Sequence, residues 1–245
     1  MNAQNWRSSL IFSMMVSLAP WEGACQVLWT DSAKAHPHFV SEAVLSGTES
    51  STLAEEALRA IRAAVRDRVA LYSKKGYPCA FQVIGDSNPE TGSGWHSLPD
   101  KLRAGELVFR GEVAELTPGW DVPFSQASTL VGVRVEEVFG DREGPEPGSL
   151  VVYIQPFGSI QAQGVTACTT KSPSDFEAHV GDQLLVSANG FDSANESLLV
   201  ASSRGDIYPI HDGMAVERDP KPTSAAGEIS IDSLRTLKPR GESSK

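Results

Sequence analysis

At 245 residues, 40% apolar and 21% charged, the chain has the make-up of an ordinary globular protein, and its 21 glycines and 15 prolines favour turns and short strands over a helical bundle. A net charge of −10 argues against a nucleic-acid partner, whose affinity rests on Lys and Arg meeting phosphates, and against adsorption to anionic lipid. The plain reading of the acidity is that it keeps the protein soluble.

The opening stretch MNAQNWRSSLIFSMMVSLA carries one cation, Arg7, then an apolar run from Leu10 to Ala19 broken only by serines. A bilayer span needs about 20 apolar residues and a signal-peptide core about 7–15, so the run predicts a signal peptide over residues 1–24. The mature protein is then periplasmic or extracellular and has no transmembrane span. The alternative is a buried helix or strand of the mature chain. Cys25, one of three cysteines, stands at the expected processing site. It is a candidate for lipidation, although Glu22 occupies a position where a lipoprotein signal carries an aliphatic residue. Its other fates are removal with the signal or retention at the new terminus.

Residues 25–50 show no hydrophobic period and read as a linker. His36 and His38 flank a proline within it, without the further ligands a metal site needs. Residues 51–104 are expected to hold the N-terminal amphipathic helix and a turn-rich connection. In TLAEEALRAIRAAVRDRVALYSKKG, the residues Leu58, Ile61, Val65, Val69 and Tyr72 recur every three or four positions and form one apolar stripe. Arg59, Arg62 and Arg66 fall on the other face, a pattern of one docked side and one solvated side.

The texture changes after Asp100. ELVFRGEVAEL alternates, with Phe109, Gly111 and Val113 on one face and Arg110 and Glu112 on the other. STLVGVRVEEVF places Val131, Val133 and Val135 inward and then loses phase, which predicts a β-bulge near Glu136–Glu137. SLVVYIQ, DQLLVSANG, SLLVASS and GDIYPIHDGMAV supply further short strands, with Leu150, Val152 and Ile154 on one face of the first. The expectation is a mainly β protein: a small barrel of five to seven strands over residues 105–217, or a sandwich, preceded by one helix. Residues 218–245 read as a flexible tail with a short helix carrying Ile231, Leu234 and Leu237.

The strings FRGEVAEL, VGVRVEEVFG, FEAHVGDQLLVSA and GDIYPIHDGMAV resemble exported bacterial domains of OB-like barrel shape, related in fold to netrin-like domains and tissue inhibitors of metalloproteinases. In such domains a Cys ahead of an f-x-x-G-x-x-y-l-v strand is tied to a Cys just upstream of the barrel. The resemblance therefore implies a Cys79–Cys168 disulfide, which in the loop-entropy account would stabilise the fold by roughly 3–5 kcal/mol. The Cys-x-Cys that opens such metalloproteinase inhibitors is missing, since Gln26 and Val27 follow Cys25. The resemblance thus implies the fold, and leaves open whether zinc-chelating inhibition survives without that motif.

Enzymatic readings are thin. VIGDSNPETG resembles the nucleophile block of GDSL-type hydrolases, with Ser87 as nucleophile. The Asp and His that should assist it would be Asp206 and His211, which are spaced wrongly in a strand-like stretch. A simple turn explains the block as well. Phosphate-loop, dinucleotide and HExxH patterns are missing, so no cofactor or metal is expected. His96, His179 and His211 are isolated, and Glu136 and Glu137 should point to opposite faces. Asn195 opens a glycosylation acceptor that matters only in a suitable host.

The resulting expectation is a non-enzymatic binding module that meets a protein or cell-envelope partner through a long loop, Gly158 to Ser174, with Gly158, Gln161, Gln163, Thr166 and Thr169 as its contact residues. A structural envelope lipoprotein anchored at Cys25 is the alternative, and a serine hydrolase the third.

Overall fold

The computed structural model describes residues 38–47, 52–72, 80–82, 97–140, 144–171, 175–188, 190–192, 197–199, 206–216 and 227–237. The expected signal peptide, Cys25, His36, Cys79, Ser87, His96 and Asn195 lie outside them.

The chain is mainly β. In order it forms β1 (Phe39–Ser41), α1 (Glu42–Ser46), α2 (Thr52–Tyr72), β2 (Ala80–Gln82), α3 (Leu98–Arg103), β3 (Leu107–Asp121), β4 (Gln126–Phe139), β5 (Leu150–Gln155) and β6 (Gly158–Ala162). There follow β7 (Val165–Thr169), β8 (Gln183–Ala188), β9 (Gly190–Asp192), β10 (Ser197–Leu199), β11 (Ile207–His211), β12 (Met214–Val216), β13 (Glu228–Ser230) and α4 (Ile231–Leu234). The main sheet runs β13-β12-β11-β8-β3-β4-β5-β10-β9, with β1 also on β3, and a second sheet runs β2-β7-β6.

The closed barrel of five to seven strands is corrected: the sheet path ends at β13 and β9, which do not pair, so the sheet stays open. Two stretches add structure beyond the expectation. β1 and α1 fall inside the expected linker, and β13 extends the expected tail just ahead of α4, the short helix that the spacing of Ile231 and Leu234 predicts. Each carries buried apolar side chains, Phe39, Val40 and Leu45 in the first and Ile231 and Leu234 in the second, and burial is what outweighs their unremarkable local pattern.

β3 and β4 form the long central hairpin. Its register slips at Glu136, between the pairs Arg110↔Glu137 and Gly111↔Val135, and again at Ala114. The first slip is the bulge that the phase change in VEEVF requires. Bulges increase local twist, and here they let two long strands curl around a core. The close approach demands glycine. A Cβ on Gly111 would lie 2.5 Å from the Arg134 carbonyl oxygen, and one on Gly132 2.5 Å from the Glu115 Cγ.

Among the described residues, three apolar clusters result. Inside the curl lie Phe109, Val113, Val131, Val133, Val135, Val151, Tyr153, Leu184 and Val186. On the other side of β3 and β8, Val108, Leu185 and Tyr208 meet Leu98 and Leu102 of α3 and Ile231 and Leu234 of α4. At the far end of the hairpin, Trp120 and Ala127 pack with Ala54, Ala57 and Ile61 of α2 and with Ile160, Ala162 and Ala167 of the small sheet. β5 turns the phase opposite to the Leu150, Val152 and Ile154 face into the curl. Pairing of Val131 with Tyr153 and of Val133 with Val151 decides this.

The Ser128 hydroxyl is fully buried on β4 without a hydrogen-bond partner among the described residues. Burying an unsatisfied hydroxyl is unfavourable, so Ser128→Ala is expected to raise stability by about 1–2 kcal/mol. Urea denaturation checks this, and a loss of stability would show that the hydroxyl has a partner.

Candidate functional site

The segment expected to be a long binding loop is a β-hairpin, and this corrects the loop reading. Ser159 to Ala162 pairs residue by residue with Val165 to Cys168, ending in Ala162↔Val165. The two turn residues, Gln163 and Gly164, have φ of +48° and +77°. Positive φ at both positions is the type I′ requirement that matches the twist of paired strands. The cue was legible in SIQA–QG–VTAC: a two-residue polar–Gly break between alternating segments.

The hairpin sorts the five candidate residues. Gln161 and Thr166 are exposed and sit opposite each other, and Gln163 is exposed at the tip. Thr169 is buried, and half-buried Gly158, across from it, packs so closely that a Cβ would lie 2.6 Å from the Thr129 hydroxyl oxygen. Gly158 and Thr169 therefore serve the base of the hairpin and not its contact surface. The Thr129 hydroxyl donates to the Phe157 carbonyl at 3.2 Å, fixing the strand that enters the hairpin.

Two neighbours hold the hairpin from outside. The Arg62 guanidinium of α2 donates to the Gln163 side-chain carbonyl at 2.5 Å, and the Ser46 hydroxyl of α1 donates to the Gln161 main-chain carbonyl at 3.1 Å. On its inner face, Ile160, Ala162 and Ala167 join the cluster under α2. Cys168 is half-buried on β7 and engaged in a disulfide. Its partner lies outside the described residues. Phe81 of β2 stands beside Cys168 in parallel register.

The groups considered for catalysis are separated. Buried Asp206 forms an ion pair with Lys101 of α3, whose ammonium lies 5.7 Å from the centre of the Tyr208 ring. His211 is exposed at the far end of β11. The residues between them hold Asp206 and His211 at opposite ends of one strand. Glu136 accepts from Arg110 at 2.8 Å and from Gln183 at 3.1 Å. Glu137 accepts two bonds from Arg235, at 2.6 and 2.8 Å, and that guanidinium holds its carboxyl below the usual carboxylate range. The two glutamates thus take different cationic partners. His179 is exposed, with its Nδ1 3.5 Å from Asp182. Among the described residues, no three His, Cys, Asp or Glu side chains come together as a metal site.

No sequence motif marks Asp121. It is buried where β3 ends, beside Phe39 of β1. Burial pushes its carboxyl up from the ordinary value, opposed by the Phe124 main-chain N–H and by the charge of His38. A carboxyl raised in the folded state favours the protonated form there. Its contribution to stability is full below the ordinary carboxylate range and is lost as pH rises through the raised folded value. Asp121→Asn keeps an acceptor for the Phe124 amide and removes the charge. The expected outcome is a higher melting temperature at neutral pH and a flatter fall in stability across the weakly acidic range. Identical melting-temperature profiles against pH for the two proteins would show that burial does not strain this carboxyl.

No helix among the described residues is long and apolar enough to cross a membrane. No protein family, curated protein or solved structure matches this chain.

Proposed function

We propose that the protein is an exported, non-enzymatic binding module that meets a protein or cell-envelope partner through the β6–β7 hairpin. The observation that carries this is the outward presentation of Gln161, Gln163 and Thr166 on a hairpin held from three sides, by α2, by α1 and by the apolar cluster beneath it. Adaptable polar side chains on a rigid support are what recognition surfaces use, because little order is lost on binding.

Two structural proposals go with it. The first is that the curled sheet is an opened OB-like barrel. In its support, β3, β4, β5, β10 and β9 neighbour one another in that order, β10 runs parallel to β5, and β9 begins two residues after β8 ends, which itself pairs with β3. One interrupted strand thus touches both flanks, the Greek-key cycle of a small, partly open barrel. The second is that Cys79 is the disulfide partner of Cys168. Supporting it, Cys79 precedes β2, the strand that lies along Cys168. An oxidised pair also fits an exported protein.

The test places a photo-crosslinking amino acid at position 161 in the protein expressed in its own host, with cell fractionation alongside. A discrete crosslinked band that disappears with Gln163→Ala/Thr166→Ala supports the proposal. Protein retained in the cytoplasm, or crosslinking indifferent to those substitutions, overturns it.

A further inference from the structure

The outward side of α2 and the tip of the hairpin form one surface. Arg59, Arg62 and Arg66 are all exposed, while Ala54, Ala57 and Ile61 of the same helix are buried against the body. Spacings of three and four residues put the three arginines in one line, about 10 Å long at 1.5 Å rise per residue. Arg62 joins the line to the hairpin through its 2.5 Å bond to Gln163. Arg59 directs its Nε at the Glu55 carbonyl of its own helix, at 3.4 Å. Each guanidinium carries five N–H donors, so these single contacts leave donors at both residues for a ligand. Glu55 and Glu56 precede Arg59 at the N-terminal end of the helix, so the cationic line begins at Arg59.

We infer that this line, with Gln163 at its side, docks an extended acidic segment of a partner polypeptide. The inference rests on the hairpin reading above and names the chemistry of its partner. Three features select that occupant. Arginine forks pair with carboxylates in two-bond geometry, which a cation on a flexible stem does not reproduce. An extended peptide presents alternate side chains to one face about 6.6 Å apart, so about four residues with acidic side chains at alternate positions span the line. The chain as a whole carries a net charge of −10. A broad anionic surface such as a bilayer would meet that whole charge, whereas a narrow peptide within a screening length of about 8 Å meets chiefly the arginines.

The test is fluorescence anisotropy of fluorescein-labelled octaglutamate titrated with the full chain, with phosphatidylserine vesicles in a parallel flotation assay. Expected is saturable octaglutamate binding that weakens at least tenfold in Arg59→Ala/Arg62→Ala/Arg66→Ala and again in the single Arg62→Glu, with helix content by circular dichroism unchanged. Absence of octaglutamate binding, binding indifferent to the arginine changes, or arginine-dependent binding of vesicles but not of the peptide each overturns it. Failure here with the position-161 crosslink intact removes the acidic partner class and leaves the hairpin surface standing. Octaglutamate binding without that crosslink removes the hairpin instead.

Discussion

Replacing Lys101 with methionine is expected to cost about 3–5 kcal/mol of stability, and Asp206→Leu a similar amount, whereas the double variant regains most or all of the loss. The two charges sit in a place that water barely reaches: their side chains are 9% and 11% exposed. Removing one leaves the other buried without the charge that faces it in this pair. Removing both leaves two apolar side chains among Leu98, Leu102, Leu185 and Tyr208, where such side chains already belong. The pair ties α3, at the entry to the long hairpin, to the start of β11. Urea denaturation of the two single variants and the double completes a mutant cycle. Losses that simply add would show that the pair does not couple.

Phe109→Ala is the second large effect, expected at about 3–5 kcal/mol. The ring is fully buried at the centre of the curl, opposite Val138 on β4 and Val186 on β8. Truncation leaves a cavity that two bulged strands close only in part. The neighbouring Arg110→Ala is the control. Arg110 points to the solvated face, where its pair with Glu136 is about one third exposed on either side, and its loss is expected to cost under about 1 kcal/mol. A difference of several kcal/mol between adjacent positions is the signature of the alternation in FRGEV. Similar losses at both positions, in chemical denaturation, would contradict the assignment of faces.

The local elements of the hairpin were legible because their information is local. Alternation in ELVFRGEV and STLVGVRV assigns faces within each strand, and the loss of phase at Glu136 marks the bulge that the register shows. Of the stripe on TLAEEALRAIRAAV, Ile61 is fully buried, while Leu58 and Val65 are only half-buried. The small residues Ala54 and Ala57 do more of the packing, because a helix lying close over a sheet selects alanine at contact and not bulk. β5 was ambiguous because LVVYI is apolar in both phases, and only its register on β4 turns Val151 and Tyr153 inward.

The candidate site was half legible. The sequence reads there as a loop, and the tight turn at Gln163–Gly164 makes it a hairpin, which exposes Gln161, Gln163 and Thr166 and withdraws Thr169. The contact of Arg62 with Gln163 joins residues 101 positions apart, beyond the reach of any periodicity. The buried Lys101–Asp206 pair, 105 positions apart, is hidden for the same reason.

By itself the sequence determined the class of the fold, the faces of the central hairpin, its bulge and the place of the long helix. These follow from the two-residue and 3.6-residue periods and from turn chemistry, all of which act over a few neighbours. Only the tertiary structure decided that the sheet stays open, that the linker and tail add strands to it, and that helix and hairpin share one surface. Those outcomes depend on which distant apolar faces find each other. β1 on β3, β13 on β12 and α2 over the small sheet are held by burial that no local pattern announces.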